Sequence, residues 1–306
     1  MPQSRTASLL TIYPYITSRD QQLLQLLDDH QVLTTDQVHR MLFHARRTCQ
    51  IRLGDLYGLG LLDRFRFARD GGGSQPWHWT LGHHGHQFQA AAHQRPEPSL
   101  RTSRQTVQRL SANPHLNHLL TANELFVRLT ADARHHHGAR LDRWRSESMA
   151  TKQFRTITAD GHGLWSAGDA TVGFFLETDT GTEPLGRVVA KLDRYAQLIR
   201  RGGLRYPVLF WLGGEHREEH LHRLLRGEHD GVSVATGHPH QPPGRSGLAP
   251  GRRHRPGPAR RAAQRPRPAR GGQSELRRRR DLRSLTDPDS RTASAVTAGQ
   301  RHGRRS

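Results

Sequence analysis

The chain has 306 residues, a length that allows two domains of roughly 100–200 residues each. Its formal net charge of +20 favours a polyanionic partner such as nucleic acid. No apolar run approaches the roughly 20 residues of a membrane span, and the single cysteine, Cys49, excludes an intramolecular disulfide. The N-terminus has no basic segment followed by a long apolar one, so no secretory signal is expected. Together these features predict a cytoplasmic protein without membrane contact.

The positive charge is concentrated at the C-terminal end. Residues 237–306 hold 18 Arg and four acidic residues, a net +14 that leaves +6 on residues 1–236. This end is rich in Pro, Gly, Arg and Ala and has almost no large apolar residues, so we expect a disordered basic tail. Two origins remain open for it: a genuine basic arm, or the out-of-frame product of a GC-rich gene.

Three helical patterns are predicted within residues 17–92, after an N-terminal arm over residues 1–16. The second helix starts at Thr34, which has capping-box spacing to Gln37. The third begins near Ala45 and has an apolar face with helical periodicity. The residues on that face are Cys49, Leu53 and Leu56.

A glycine-tipped hairpin follows the third helix. Residues 61–68 alternate as a strand, residues 70–75 form the tip, and residues 77–81 return as a second strand. Three helices and then a hairpin is the order of a winged helix-turn-helix domain, whose third helix enters the major groove of double-stranded DNA. The candidate DNA-binding residues are Arg46, Arg47, Gln50, Arg52, Arg64, Arg66 and Arg69. The alternative is a winged helix used for protein contacts, with these arginines as a solvated face.

A second domain is expected over residues 115–236, after a polar connection over residues 93–114. Its predicted elements are a helix over about 116–133, strands over 141–147, 160–165 and 170–179, a helix from Pro184, and a strand over 207–212. The order is α-β-β-β-α-β. The sequence therefore predicts an α+β or α/β chain with a winged helix first and a mixed α/β domain second.

The second domain resembles the PD-(D/E)xK nuclease core, a restriction-endonuclease-like fold, because Asp160 opens its second strand and Glu177 lies near the end of its third. The resemblance implies that carboxylates hold Mg²⁺ or Mn²⁺ and that a lysine two residues after the acid orients the attacking water. Asp179 occupies that lysine position here, while Lys191 on the following helix is placed to project back to the same site. The implied catalytic residues are Asp160, Glu177, Asp179 and Lys191, of which the three acids are the metal ligands and Glu147 is an outer candidate. The alternative is a decayed or purely structural nuclease fold.

Residues 17–236 as a whole resemble the replication-relaxation family of actinobacterial proteins, which are found with plasmids and integrative elements. The segments that carry this resemblance are 46–62, 77–81, 115–120, 159–161, 174–183 and 191–195. The resemblance implies a role in plasmid or mobile-element replication or in DNA relaxation. Three versions of the function remain open: a DNA-binding protein with a nuclease-like domain, a Mg²⁺-dependent DNA endonuclease, and a winged-helix scaffold that recruits replication or transfer proteins.

Overall fold

The structure is a computed structural model that describes residues 9–225 and 231–239. The predicted disordered tail lies outside the described residues except for its first three positions, as does the first half of the predicted N-terminal arm. The second half of that arm is the short helix α1 (Leu9–Ile12) and a 3₁₀ turn (Tyr13–Tyr15), and Ile12 is buried. No helix within the described ranges has the length and apolarity needed to cross a membrane.

The first part of the chain builds three helices around a small antiparallel sheet. Its elements are α2 (Ser18–His30), β1 (Leu33–Thr34), α3 (Thr35–Leu42), α4 (Arg46–Gly58), β2 (Leu62–Phe65) and β3 (His78–Leu81). The strand order is β1-β3-β2. The predicted capping box of Thr34 and Gln37 is confirmed, and Thr17 and Asp20 form a second one at the start of α2. Each box satisfies two backbone donors that a helix start leaves without partners, which fixes where these helices begin.

The core of this part is formed by the inward faces of its helices. The predicted apolar face of α4 is confirmed, because Cys49, Leu53 and Leu56 are completely buried. Val127 from the following part of the chain belongs to the same apolar cluster, and Trp144 packs against it. The two predicted domains therefore share packing contacts within the described residues.

The polar connection expected over residues 93–114 contains a helix. Helix α5 (His83–Ala92) comes before it, and helix α6 (Leu100–Ser111) occupies most of it. Ser99 caps α6 by accepting a hydrogen bond from the Thr102 N–H at 3.1 Å. Ser103 and Leu110 are the buried positions of α6, so its burial pattern is too sparse for apolar periodicity to reveal.

The second part is a mixed α/β arrangement around a five-stranded sheet, which confirms the coarse fold class. Its elements are α7 (Leu116–Ala133), β4 (Ala139–Ser146), α8 (Glu147–Phe154), β5 (Gly161–Ala167), β6 (Ala170–Asp179), α9 (Leu185–Ala190), α10 (Leu192–Arg200), β7 (Val208–Leu212), α11 (Glu215–Leu224) and β8 (Val234–Gly237). The strand order is β4-β5-β6-β7-β8. Strands β4, β5 and β6 pair antiparallel, whereas β6, β7 and β8 pair parallel.

Helices cover both faces of this sheet. Phe126 of α7 packs on one face against Phe174 and Leu176, while Tyr195 of α10 and Leu221 of α11 lie in the cluster on the opposite face. Because β6 is covered on both sides, its residues are apolar in an unbroken run rather than in alternation. This run ends at the acidic residues that the sequence singled out.

Candidate functional site

Asp160 and Glu177 lie next to each other at one end of the five-stranded sheet. Gly161 pairs with Leu176 in the antiparallel register of β5 and β6, which places the residue before Gly161 level with the residue after Leu176. The Asp160 N–H donates to the Leu176 carbonyl at 2.9 Å, and the Thr178 N–H donates to Asp160 Oδ2 at 2.6 Å. The register of two strands, and not a flexible loop, therefore fixes the two carboxyl groups.

Glu177 has a hydrogen-bond donor on each carboxylate oxygen. Lys191 Nζ lies 2.9 Å from Oε2, and the Tyr195 hydroxyl donates to Oε1. Lys191 occupies the break between α9 and α10, where the Lys191 N–H bonds to the Val188 carbonyl three residues back. The single helix predicted after Pro184 is thus two short helices, and the lysine that points at Glu177 lies at their junction.

Burial dominates the electrostatics of Glu177, whose residue is 2% exposed. Removal from water, followed by the negative charge of Asp160, raises the pKa of Glu177 to about 7, although Lys191 and Tyr195 act in the opposite direction. Burial by itself lowers the pKa of Lys191, but the Glu177 carboxylate outweighs burial and the pKa of Lys191 is raised. His118 Nε2 lies 3.0 Å from Asp160 Oδ2, and this hydrogen bond raises the pKa of His118. Each of the two acids thus has a basic partner.

Asp179 points to a different set of partners. The Arg217 guanidinium of α11 binds both of its carboxylate oxygens, with Nη2 at 3.0 Å from Oδ1. The Gly181 N–H donates to the same Oδ1 at 2.9 Å. The Arg217 guanidinium also donates to the Glu183 carbonyl. Through Arg217, helix α11 is therefore connected to Asp179 at the end of β6 and to the loop between β6 and α9. The structure brings Asp160, Glu177 and Lys191 together but directs Asp179 elsewhere.

The arrangement does not fit a divalent metal ion. Every acid proposed as a ligand is bound by the protein's own donors: Asp160 by His118 and Thr178, Glu177 by Lys191 and Tyr195, Asp179 by Arg217 and Gly181. In the two described ranges, no group of three or more His, Cys, Asp or Glu side chains is placed to hold a metal. Glu147, the outer candidate, is exposed at the start of α8.

The DNA-binding candidates on α4 differ in their surroundings. Arg47 and Gln50 are exposed, and Arg46 is also exposed with an ion pair to Asp36 at 3.1 Å. Arg52 instead binds buried Asp20 through both guanidinium branches, at 3.0 and 2.6 Å. Arg52 therefore connects α4 to the start of α2, while the other three side chains remain at the surface.

The arginines of the hairpin rest on aromatic rings. The Arg64 guanidinium carbon lies 4.0 Å from the Trp77 ring centre and 4.5 Å from that of Tyr57, and the Arg66 carbon lies 4.3 Å from Trp77. Such cation–π contacts are worth about 0.5–1 kcal/mol each at exposed sites. Arg69 lies beyond this stack, exposed near the glycine turn. Because these contacts use the flat face of each guanidinium, its N–H groups lie in the plane of the guanidinium and not against the ring.

Three residues of the site were not singled out from the sequence: His118, Tyr195 and Arg217. Tyr195 was predicted as an apolar position of its helix, where it indeed lies, and its hydroxyl reaches Glu177 from there. His118 lies in segment 115–120, which carries the family resemblance, but it was given no role there. Helix α11, which carries Arg217, was not predicted at all. Of the 47 Lys and Arg residues only Lys152 and Lys191 are lysines, and this rarity was the sequence signal that drew attention to Lys191.

Comparison with known proteins places the chain in a family. A family model described as replication-relaxation matches residues 24–208, which is more than half of the chain. The chain belongs to the replication-relaxation family. The replication-relaxation match includes Asp160, Glu177 and Lys191 and all the DNA-binding candidates, whereas Arg217 lies beyond it. Comparisons with curated proteins and with solved structures found no match.

Proposed function

We propose that this member of the replication-relaxation family binds double-stranded DNA and acts in the replication or relaxation of plasmid or other mobile DNA. The observation that carries the proposal is the surface formed by α4 and the β2–β3 hairpin. It presents the exposed side chains of Arg47 and Gln50 on α4 and the stacked guanidiniums of Arg64 and Arg66 on the hairpin, where Arg64 also contacts Tyr57 of α4. We call it the α4–hairpin surface.

The element order supports a winged-helix interpretation of this part of the chain. Helices α2, α3 and α4 precede the hairpin, after the short helix α1 of the N-terminal arm, and β1 joins the hairpin in the order β1-β3-β2. In a winged helix the third helix enters the major groove, where Arg and Gln side chains read base edges. Arg64 and Arg66 are held against Trp77, so less side-chain entropy is lost when their N–H groups bind phosphate oxygens. Arg52 is left out of the proposed surface because it is bound to Asp20.

For the second part we propose a nuclease-like fold of the PD-(D/E)xK type that does not cleave DNA in this arrangement. The strands β4, β5 and β6 follow α7, and β7 comes after α9 and α10, so the predicted order recurs with α8 inserted between β4 and β5. This order and the position of Asp160 and Glu177 at the strand ends support the likeness. The engagement of Glu177 by Lys191 and Tyr195 argues against a metal-dependent reaction there, since both carboxylate oxygens already have donors. On this proposal Glu177 and Lys191 stabilise the junction between sheet and helices.

The DNA-binding proposal is tested with charge-matched variants of the full chain. One carries Arg47→Gln and Arg66→Gln, and the other carries Arg101→Gln and Arg104→Gln, which are exposed on α6. Both lose two positive charges, so the basic tail contributes equally to each. We expect the first variant alone to bind a 30-base-pair duplex more weakly and with a shallower salt dependence. Equal behaviour of the two variants would refute docking through the α4–hairpin surface and would favour the scaffold that recruits replication or transfer proteins.

The cleavage proposal is tested with supercoiled plasmid, with and without Mg²⁺ or Mn²⁺. We expect neither nicking nor linearisation by the wild-type chain. Metal-dependent cleavage that disappears in Glu177→Gln and in Asp160→Asn would show that the endonuclease alternative is correct. A nicking activity that persists in both variants would indicate a contaminating nuclease, which a second purification removes.

A further inference from the structure

The edge strand β4 carries a β-bulge that places its arginines on one face. Leu141 pairs with Trp165 and Arg143 with Leu164, so Asp142 is the extra residue in the register. Without the bulge, Leu141 and Arg143 would point to the same face of the sheet, because side chains alternate with a period of two. With the bulge, Leu141 and Trp144 both pack against the α7 side. Arg143 and Arg145 both lie on the opposite face.

The register across the sheet fixes what lies beside these arginines. Arg145 is paired with His162, which is paired in turn with Phe175 of the α10-side core. His162 is buried under Phe154 and Tyr206, whose rings lie 5.0 and 5.6 Å away. Among the described strands β4 is at the end of the sheet, so the guanidiniums border an aromatic cluster beside this strand.

Positive charge exceeds negative charge here, although Arg143 interacts electrostatically with Asp142. Burial and the neighbouring Arg143 lower the pKa of Arg145, and burial together with both arginines lowers the pKa of His162 to about 4. Asp142 is engaged by Arg140 and by the Ser166 hydroxyl. Among the described residues, Arg143 and Arg145 form no hydrogen bond or ion pair. This contrasts with Arg40, Arg52 and Arg217, each of which is bound to a carboxylate.

Helix α8 extends the basic surface on the same face. Its Phe154 packs on His162, and its exposed Lys152 and the following exposed Arg155 have no partner among the described residues. Residues 139–155 hold five basic and two acidic residues, a net +3 within 17 residues. That is half of the +6 carried by residues 1–236, whereas residues 17–92 carry only +1.

We propose that Arg143, Arg145, Lys152 and Arg155 form a second DNA-binding surface, the β4–α8 surface, which contacts the phosphate backbone without reading bases. It deepens the proposed DNA-binding function but uses residues outside the α4–hairpin surface. A phosphate backbone fits because it offers repeated negative charges along a line, and side chains two apart on a strand repeat about every 6.6 Å. Unpaired arginines at a regular spacing suit bidentate contacts with phosphates. Base-edge hydrogen bonding would require a groove-entering element, and β4 is fixed within its sheet.

The test compares three charge-matched double variants of the full chain. They are Arg143→Gln with Arg145→Gln, Arg47→Gln with Arg66→Gln, and the control Arg101→Gln with Arg104→Gln. The dissociation constant for one duplex is measured at several salt concentrations. Each lost phosphate contact lowers the slope of log K against log salt by about 0.9, so the β4 variant is expected to lose about 1.8. At 0.15 M salt this corresponds to binding about 30-fold weaker than the control.

The two surfaces give separable outcomes. A β4 variant with the slope of the control overturns the β4–α8 surface, whatever the α4–hairpin variant does. A loss in the β4 variant combined with control-like binding of the α4–hairpin variant supports the β4–α8 surface and refutes docking through α4. Circular dichroism and thermal unfolding of each variant establish that the fold is intact. If the β4 variant is unfolded, Lys152→Gln with Arg155→Gln, both exposed, replaces it with the same expected change in slope.

Discussion

Substitution of Lys191 by Met removes the cation beside Glu177 and keeps a side chain of similar length. In the wild-type chain, Lys191 Nζ lies 2.9 Å from Glu177 Oε2, and the Glu177 side chain is almost completely buried. After the substitution, Glu177 keeps the hydrogen bond from the Tyr195 hydroxyl but has lost its ion-pair partner. The negative charge of Asp160 still acts on it.

The expected cost depends on pH because Glu177 can take up a proton. Removing one partner of a buried pair costs about 3–5 kcal/mol while the remaining charge persists. The folded-state pKa of Glu177, about 7, lies above its ordinary value of 4.5, so the folded chain holds this proton below pH 7. The ion pair with Lys191 therefore contributes above pH 7 and is lost below it. Lys191 is 27% exposed, which reduces the cost, and we expect roughly 2–3 kcal/mol at pH 8.

Urea unfolding at pH 6, 7 and 8 measures this cost. Between pH 7 and 8 the destabilisation by Lys191→Met should grow by about 1 kcal/mol, since the wild type, already half deprotonated at pH 7, releases the rest of its proton there and the variant retains it. Adding Glu177→Gln to the variant should recover most of the loss at pH 8, because the amide is neutral in both states and folding no longer requires proton uptake at position 177. Lys152→Met, at the other lysine of the chain, is the control and should leave the free energy of unfolding nearly unchanged. A cost equal at pH 6 and pH 8, or equal for the two lysines, would refute the reasoning.

Two further predictions concern stability. Burial lowers the pKa of His30 from 6.5 to about 3, so the unfolded chain takes up this proton first and stability falls as the pH drops below 6.5. His30→Phe keeps a ring against Trp144, and in urea unfolding it should lose about 1.7 kcal/mol less than wild type between pH 6.5 and 5. Parallel pH curves for the two proteins would contradict this. A Cβ on Gly85 would lie 2.1 Å from the Leu61 carbonyl oxygen, whereas one on Gly54 meets nothing within 4 Å. In thermal unfolding, Gly85→Ala should therefore cost about 1–3 kcal/mol and Gly54→Ala should gain about 0.5–1 kcal/mol, and the opposite order would refute the packing argument.

The elements that the sequence predicted best are those in which one face or a whole strand is apolar. Helix α7 and strand β6 begin and end where expected, because long side chains are buried along each of them and polar residues end the pattern. The start of α3 followed from the local chemistry of its capping box. Such signals are contained within a few neighbouring residues.

The missed helices are those whose burial is sparse or polar, and the missed strands, β1 and β8, are only two and four residues long. In α11 the buried residues are Glu218 and Leu221, and no apolar stripe distinguishes the helix from an exposed loop. Two contacts of the site were missed for a related reason. Arg217 contacts Asp179 from 38 positions further along the chain, and His118 contacts Asp160 from 42 positions before it. Contacts between residues far apart in sequence depend on tertiary packing, which local spacing does not encode. Proximity of Lys191 to Glu177 was expected only because both lie near the strand-to-helix turn.

The presence of a lysine at position 191 has a structural explanation that requires no catalysis. A guanidinium binds a carboxylate best through two parallel hydrogen bonds, one to each oxygen. Oε1 of Glu177 is already taken by the Tyr195 hydroxyl, so only Oε2 remains for a cation. A compact ammonium suits a single oxygen at a helix break better than a planar fork, which explains why a chain that uses arginine almost everywhere has lysine here. The lysine thus follows from the geometry of Glu177. Lys191→Arg keeps the positive charge but would not reproduce the single hydrogen bond to Glu177 Oε2.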